Sequence, residues 1–416
     1  MLPVRLSPKI HVSFDPMTQP LPAPNAQRFA MIGGVESFAR GTTVSVFPLV
    51  MYHAWGSAAV VSQIYFVVGL VSLVTALMVP LLARVFTRRP IYIFSIVLYL
   101  VGAIFGTLGG KFATTALLCS VIAAAISFVC FNAYVLDNLD KSEFGRLETL
   151  RLFYSGLGWV VGPAMGVWLM SLWDGAPFVM VAVAALVMLT LILRTPLGRG
   201  KAIIQSPGRS SNPLAHVRRF FSQPRLVTAW LIPLARSCGW WFYFVYIGIF
   251  AVEQGLGNQV GGIAASVANM GLFLAPLMLL WMQRHSVRKA VRAGFFFGGL
   301  CFIGAALLSV LPWVTVAVLI FGTFFLVLLD TSGALPFMMA VKPSERTEMS
   351  AVYSSFRDAS GIISPAIAWL VLQYFPVAGV FAASGLVLMA AWLVSARLHP
   401  QLGIPGASRI RSPHNA

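Results

Sequence analysis

Charge is what this chain has least of. Only 10% of its 416 residues are Asp, Glu, Lys or Arg, while 58% are hydrophobic and the mean hydropathy is +0.85. A soluble domain usually carries about 25% charged residues, so this composition cannot cover a water-facing surface. Lipid is the solvent that accommodates it. Acid is the scarcer sign: 12 Asp and Glu stand against 29 Lys and Arg, a formal net charge of +17. The excess does not point to nucleic acid, because the basic residues sit in short polar gaps between apolar runs.

Other absences narrow the class further. There are four cysteines (Cys119, Cys130, Cys238, Cys301), each inside an apolar run, which excludes a disulfide framework. The six histidines are scattered, mostly in tails and loops, without metal-ligand spacing. No Gly-Lys-Ser/Thr phosphate loop is present, and no polar segment is long enough for a catalytic domain. Neither an enzyme nor a cofactor is expected. The first 27 residues are Pro-rich and polar, so no cleaved leader is expected and the first apolar helix would direct insertion.

What is present is a series of runs long enough to cross a bilayer, for which about 20 apolar residues suffice. The first half offers 29–51, 58–82, 91–110, 113–136, 149–172 and 175–194. The second offers 226–252, 258–282, 290–311, 313–341, 352–375 and 377–397. The expected fold class is an all-α membrane protein of about twelve transmembrane helices. Alternate gaps hold nearly all the base, from Arg84, Arg88 and Arg89 to Lys342 and Arg346, whereas the others hold only Lys111 with Asp174 and Glu253. The positive-inside rule then places both termini in the cytoplasm of a bacterial inner membrane.

Segment 195–225 divides the chain into two six-helix halves, 28–194 and 226–397, between tails 1–27 and 398–416. Within it, Asn212-Pro213 is a helix start, and Leu214, Val217, Phe220 and Phe221 recur at helical spacing beside Arg218 and Arg219. An amphipathic helix on anionic headgroups is expected there, with a plain solvated linker as the alternative. The halves also repeat. Ser142-Glu143 and Ser344-Glu345 lie the same distance before Pro163-Ala164 and Pro365-Ala366, and Ala39-Arg40 matches Ala235-Arg236.

On these features the chain resembles the major facilitator superfamily over about 28–397, and that resemblance implies a six-plus-six transporter. Its most specific piece is Gly158-Trp-Val-Val-Gly162-Pro163-Ala-Met-Gly166, similar to the glycine-proline signature of proton-coupled exporters, with Thr149 in place of an earlier glycine. Gly158, Gly162 and Gly166 share a helix face that admits a close neighbour, and Pro163 permits a bend. Pro365 is its repeat mate, and Gly261, Gly262, Ala265 and Gly271 are the expected partner face. The family's loop after the second helix reads Gly-x-Leu-Ala-Asp-Arg-x-Gly-Arg-Arg. Here Arg84 replaces the acid and both glycines are gone. The buried fourth-helix arginine of proton antiporters is also missing.

Ionisable residues at membrane depth are functional candidates by default. The resemblance places Arg40 and Arg236 on opposite walls of a central cavity, where they would grip an anion. Tyr243, Asn132 and Asn269 are further substrate-binding candidates, with the run Trp240–Tyr246 able to stack a planar solute or to serve as core. Glu36 and Asp330 are candidate proton carriers. Structural pairing is the competing reading: Glu36 lies one helical turn before Arg40, and Arg357 can pair with Asp330 or Asp358. Glu143, Arg146, Arg151, Glu345, Arg357 and Asp358 are expected at the gate or in ion pairs. The functional expectation is secondary transport by alternating access of a small organic solute, anionic or amphipathic, with or without protons, by a monomer among membrane lipids. Proton-driven multidrug efflux, and a transporter-like scaffold for lipid or pigment delivery or complex assembly, are the alternatives.

Overall fold

A computed structural model describes residues 26–85, 87–138, 144–195, 213–332, 335–341 and 346–398, and every regular element among them is a helix. Grouped by direction, the helices make twelve passes, called spans here. Span 1 is α1 (Ala26–Val44) and α2 (Val46–Trp55); spans 2 to 6 are α3 (Ala58–Val85), α4 (Arg88–Leu108), α5 (Phe112–Asn138), α6 (Phe144–Leu172) and α7 (Ala176–Arg194). The linker contributes α8 (Pro213–Phe221). Span 7 is α9 (Pro224–Glu253), and span 8 is α10 (Asn258–Met270) continued through one 3₁₀ turn into α11 (Ala275–His285). Spans 9 and 10 are α12 (Val287–Leu307) and α13 (Pro312–Ser332), the latter extended by α14 (Leu335–Ala340). Span 11 is α15 (Arg346–Ser354) with α16 (Phe356–Leu372), and span 12 is α17 (Val377–Ser395).

Among the described residues, nine of these helices are long and apolar enough to cross a membrane on composition alone. The passes outside that group are spans 1, 7 and 11. They are the passes that carry Glu36 and Arg40, Arg236, and Arg357 with Asp358. In span 1 the charged residues lower the hydropathy, whereas span 11 is divided at Ser355 into two helices each shorter than a crossing.

Because successive spans reverse direction, the Arg- and Lys-rich loops gather at one end of the bundle, the basic face. The loops around Gly56, Gly110, Asp174, Gly255 and Pro376 gather at the far face. The halves meet along two seams related by the repeat. Span 5 packs on span 8, where Gly262 lies against the Pro163 carbonyl and Val167, and the Ala164 N–H donates to Ser266 Oγ at 2.9 Å. Span 2 packs on span 11, where Gly69 faces the Gly361 carbonyl. Only glycine permits these approaches: a Cβ on Gly69 would lie 2.6 Å from that oxygen.

Contacts across the seams continue to the far face. Ser62 and Tyr246 share a hydrogen bond of 2.7 Å, Tyr65 meets Trp241 edge-on at 5.9 Å, and the Tyr52 hydroxyl donates to Glu253 Oε1 at 3.2 Å. The apolar cores show the same division. One core runs from the C-terminal spans into the far-face residues of the N-terminal half, such as Leu49, Val61, Ala113 and Met170. A second core, with Phe29, Tyr92, Ile126, Leu147 and Ile192, fills the N-terminal half on its basic side alone. The halves are thus fused at the far face and have separate interiors toward the basic face.

The linker helix forms where Asn212-Pro213 predicts it, but α8 does not lie free on a surface. Phe220 is fully buried, packed between its neighbour Phe221 and Phe337 of span 10.

Candidate functional site

Four arginines occupy the basic-side half of the bundle, where the two cores are separate. Arg236 stands twelve residues into span 7, about 18 Å along the helix axis from its basic end at 1.5 Å per residue. Arg40 is at the middle of span 1, and its guanidinium lies over the Trp159 ring of span 5 at 5.7 Å. Arg151, nearer the basic end of span 5, lies over Phe131 of span 4 at 5.6 Å. Arg357 of span 11 lies over Phe128 of span 4 at 5.5 Å and over its neighbour Phe356 at 5.8 Å. Phe356 also underlies Arg236 at 5.6 Å. Each guanidinium therefore rests on an aromatic face, a neutral partner that does not consume its N–H donors.

These arginines feel one another. Arg236 and Arg357 share the ring of Phe356, and Arg357 also reaches Phe128 of the N-terminal half, so charges from both halves meet in one region. Arg40 and Arg357 are exposed although they lie near mid-span. On the basic side, between the separate interiors of the two halves, these cations and the rings beneath them share one region, called the cleft here, and closely placed charges of one sign raise the potential within it.

The acids are arranged unequally. Asp330 of span 10 has both oxygens occupied: Oδ1 receives Arg236 at 2.9 Å, and Oδ2 accepts from Trp240 Nε1 at 2.9 Å. That corrects the expected Arg357–Asp330 pair, because Asp330 sits opposite span 7 rather than span 11. Arg236 still has a buried Nε without a partner. Glu36 does not form the expected one-turn pair with Arg40. It is buried, with Oε1 unpartnered, and senses Arg40 and then Arg151 only at longer range. Around it stand the buried hydroxyls of Tyr92 and Tyr99, with Tyr99 near enough to interact with the carboxyl. Asp358 is half-buried beside Arg357. Glu148 lies 3.8 Å from Arg151 on an exposed turn.

Several sequence candidates are placed elsewhere. Tyr243 is fully buried, and its hydroxyl donates to the Ala264 carbonyl at 2.8 Å, bracing span 7 against span 8 instead of meeting a solute. Asn269 is buried too, and its Nδ2 donates one turn back to the Ala265 carbonyl at 2.9 Å. Asn132 is half-buried on span 4, next to Phe131. Of the aromatic run, Trp240 stacks on Phe244 at 5.1 Å, and Phe244 reaches Trp159 across the halves at 6.3 Å. The other members pack inward or against span 2.

The glycine-proline face of span 5 turns away from the cleft. Gly158 faces Phe38 of span 1, Gly162 faces Gly41, and Gly166 faces Thr42, so spans 1 and 5 touch backbone to backbone. Of the expected partner face on span 8, Gly262 meets Pro163 as described, whereas Gly261 meets Gly248 of span 7 and Gly271 meets Val327 of span 10. Pro365 is buried in span 11, four residues beyond the Gly361 contact. Arg146 is exposed near the basic end of span 5. Glu143, Glu345 and the Arg84 side chain lie outside the described residues.

Sequence reasoning assigned Arg151 and Arg357 to a gate or to ion pairs and missed the rings Phe128, Phe131, Trp159 and Phe356. No periodic signal joins a phenylalanine of span 4 to an arginine of span 5 or 11. Only the adjacency Phe356-Arg357 was visible in the chain.

Comparison with known proteins bears on the family and the fold. The sequence profile described as the Major Facilitator Superfamily matches residues 29–365. No curated protein gives a significant match. Among solved structures, a POT family transporter in complex with a thioalcohol-conjugated peptide superposes with a TM-score of 0.71 at 12% identity, covering 89% of this chain and 94% of that one. The nucleoside transporter NupG gives 0.67 at 12%, covering 90% and 100%. A peptide transporter POT in complex with sulfate gives 0.70 at 13%, covering 91% and 95%.

Proposed function

The chain belongs to the Major Facilitator Superfamily, and on that premise we propose that it carries a small organic anion across the membrane by alternating access. It is an integral membrane protein and a transporter; the anion is the finer claim. The observation that carries it is the cleft's charge. Arg40, Arg151, Arg236 and Arg357 converge from both halves, and among the described residues Asp330 and Glu148 are the carboxylates within 4 Å of any of them. A carboxylate or phosphate bound between Arg40 and Arg236 would bridge the halves and gain fork-like hydrogen bonds from each.

The positive-inside rule makes the basic face cytoplasmic, so the cleft is the inward-open state of a bacterial inner-membrane protein. Residues 28–194 and 226–397 are the halves that rock about the seams at Gly262 and Gly69, and 195–225 joins them. One chain supplies both walls, so a monomer suffices. Glu36 is the proton carrier that the geometry favours. An ionised carboxylate with an unpartnered oxygen in a dry core costs several kcal/mol, and Arg40 and Arg151 are near enough to respond to its charge. Asp330, held by Arg236 and Trp240, acts instead as the counter-ion that an incoming anion displaces.

The test is flux. Protein in proteoliposomes is offered labelled mono- and dicarboxylates and organophosphates under an imposed pH gradient. Accumulation of one anion class, abolished by a protonophore and by Glu36→Gln, is the expected result. Movement of hydrophobic cations alone would make drug efflux the correct reading. No flux at all, with stable co-purification of one partner, would make the chain a scaffold.

A further inference from the structure

Transport as proposed leaves the linker helix α8 without a task, yet α8 is tied to the cleft. Phe220 lies fully buried 6.5 Å from the ring of Phe337. Phe337 stacks on Tyr353 at 4.2 Å, and Tyr353 meets Phe356 edge-on at 5.4 Å. Phe356 is the ring beneath both Arg236 and Arg357. A second route runs beside the first. Phe221 packs on Trp230 at 5.4 Å, and Trp230 Nε1 donates to Ser355 Oγ at 3.2 Å, next to Phe356. Two lines of contact thus connect one short helix to residues 355–357.

The outer face of α8 has a different chemistry. Val217, Arg218, Arg219 and Phe221 are exposed there, and Arg225 follows on the first turn of span 7. Segment 195–225 holds Arg199, Lys201, Arg209, Arg218, Arg219 and Arg225 and no acidic residue. Charge alone would attract any polyanion. Exposed apolar side chains beside arginines, on a helix that leads directly into span 7, fit the boundary between anionic headgroups and acyl chains.

We propose that α8 is a lipid-responsive clamp: anionic headgroups on its outer face hold Phe220 seated, and the ladder Phe337–Tyr353–Phe356 transmits that seating to Arg236 and Arg357. Closely packed rings shift between discrete arrangements rather than deforming continuously, which is what a coupling path requires. The last rung takes its meaning from the anion-site reading; the earlier rungs do not depend on it.

Hydrogen exchange of the full-length protein in nanodiscs tests this without any solute. Discs of phosphatidylcholine are compared with discs that also contain phosphatidylglycerol. The anionic lipid should slow exchange in 213–221 and, together with it, in 335–341 and 349–357. Arg218→Gln with Arg225→Gln should remove that lipid dependence. Phe220→Ala should speed exchange in all three segments in either lipid, leaving spans 1–6 unchanged; Phe220→Leu, which keeps bulk but loses the ring, should do the same more weakly and covers the case in which the alanine variant fails to fold. Equal exchange in the two lipids would overturn the lipid role. Loosening confined to 213–221 would overturn the ladder. A chain with no anion site would give the same exchange results, so failure here and failure of the transport reading remain separable.

Discussion

Asp330 and Arg236 show how a single pair can be costly to break and still replaceable. Both are inside the bundle, and the carboxylate has spent its two oxygens on Arg236 and Trp240. Removing one partner leaves a half-buried charge unpaired, a loss of about 1–3 kcal/mol, whereas exchanging both for apolar residues of similar volume is often neutral. Asp330→Asn should therefore lower the thermal midpoint markedly. Arg236→Met with Asp330→Leu should recover most of it while abolishing anion binding. Equal loss in the single and double variants, read by fluorescence-detected unfolding, would show that the pair is not what holds spans 7 and 10 together.

At this scale the sequence told residue type and depth but not partner. Arg40, Arg236, Glu36, Asp330 and Arg357 were recognisable because charge inside an apolar run is conspicuous. Their contacts were not, because a guanidinium reaches several ångströms and can turn to a ring on another span as readily as to an acid one turn away. Glu36 and Arg40 have the right spacing and do not pair. Tyr243 looked like a cavity residue and is a brace, because its position on the helix face toward span 8 follows from packing rather than from periodicity.

Among elements, span 5 is the best-determined piece. Its glycines allow spans 1 and 5 to touch along their backbones, and a Cβ on Gly162 would stand 2.6 Å from the Gly41 carbonyl carbon, with no side chain there to move aside. Gly162→Ala should cost about 1–3 kcal/mol, the usual penalty of overpacking, read as a lower unfolding temperature. Gly156, which faces open space, is the control: Gly156→Ala should be neutral or slightly stabilising. This stripe was legible, since small residues four apart define a face. Which helix lies against it was less so. Span 1 receives the three glycines, and span 8 receives the Pro163 carbonyl, the Ala164 N–H and Val167.

The breaks in spans 1, 8 and 11 were not legible as breaks. The sequence reads each as one run, yet the helix is interrupted at Ser45, at Gly271–Leu274 and at Ser355. In spans 1 and 8 the cause is local, Pro48 three residues after Ser45 and Gly271 with Pro276 around the 3₁₀ turn, whereas Ser355 has no proline or glycine beside it.

At the level of the whole molecule, the two-half plan was readable because alternating basic loops and an internal repeat are both long-range patterns carried by the chain itself. Which face is closed is a property of one conformational state and leaves no mark in composition. The far-face closure rests on few polar contacts, of which Tyr52 to Glu253 at 3.2 Å and Ser62 with Tyr246 at 2.7 Å cross between halves. Tyr52→Phe with Tyr246→Phe should shift the population toward the form open at the far face. Distances between spin labels on the loops at Gly56 and Gly255 should lengthen, while labels within one half should not move. Unchanged distances would mean that apolar packing alone closes this face.

The central claim is that the cleft is an anion site built from arginines of both halves. Thermal stabilisation of the purified protein by a panel of organic anions, zwitterions and cations tests it most directly. A ligand at 100 times its dissociation constant adds about 2.7 kcal/mol. The account predicts stabilisation by one class of anion, weakened in Arg40→Gln and absent in the folded Arg236→Met, Asp330→Leu variant. Stabilisation by hydrophobic cations alone, or anion stabilisation that survives both substitutions, would contradict it.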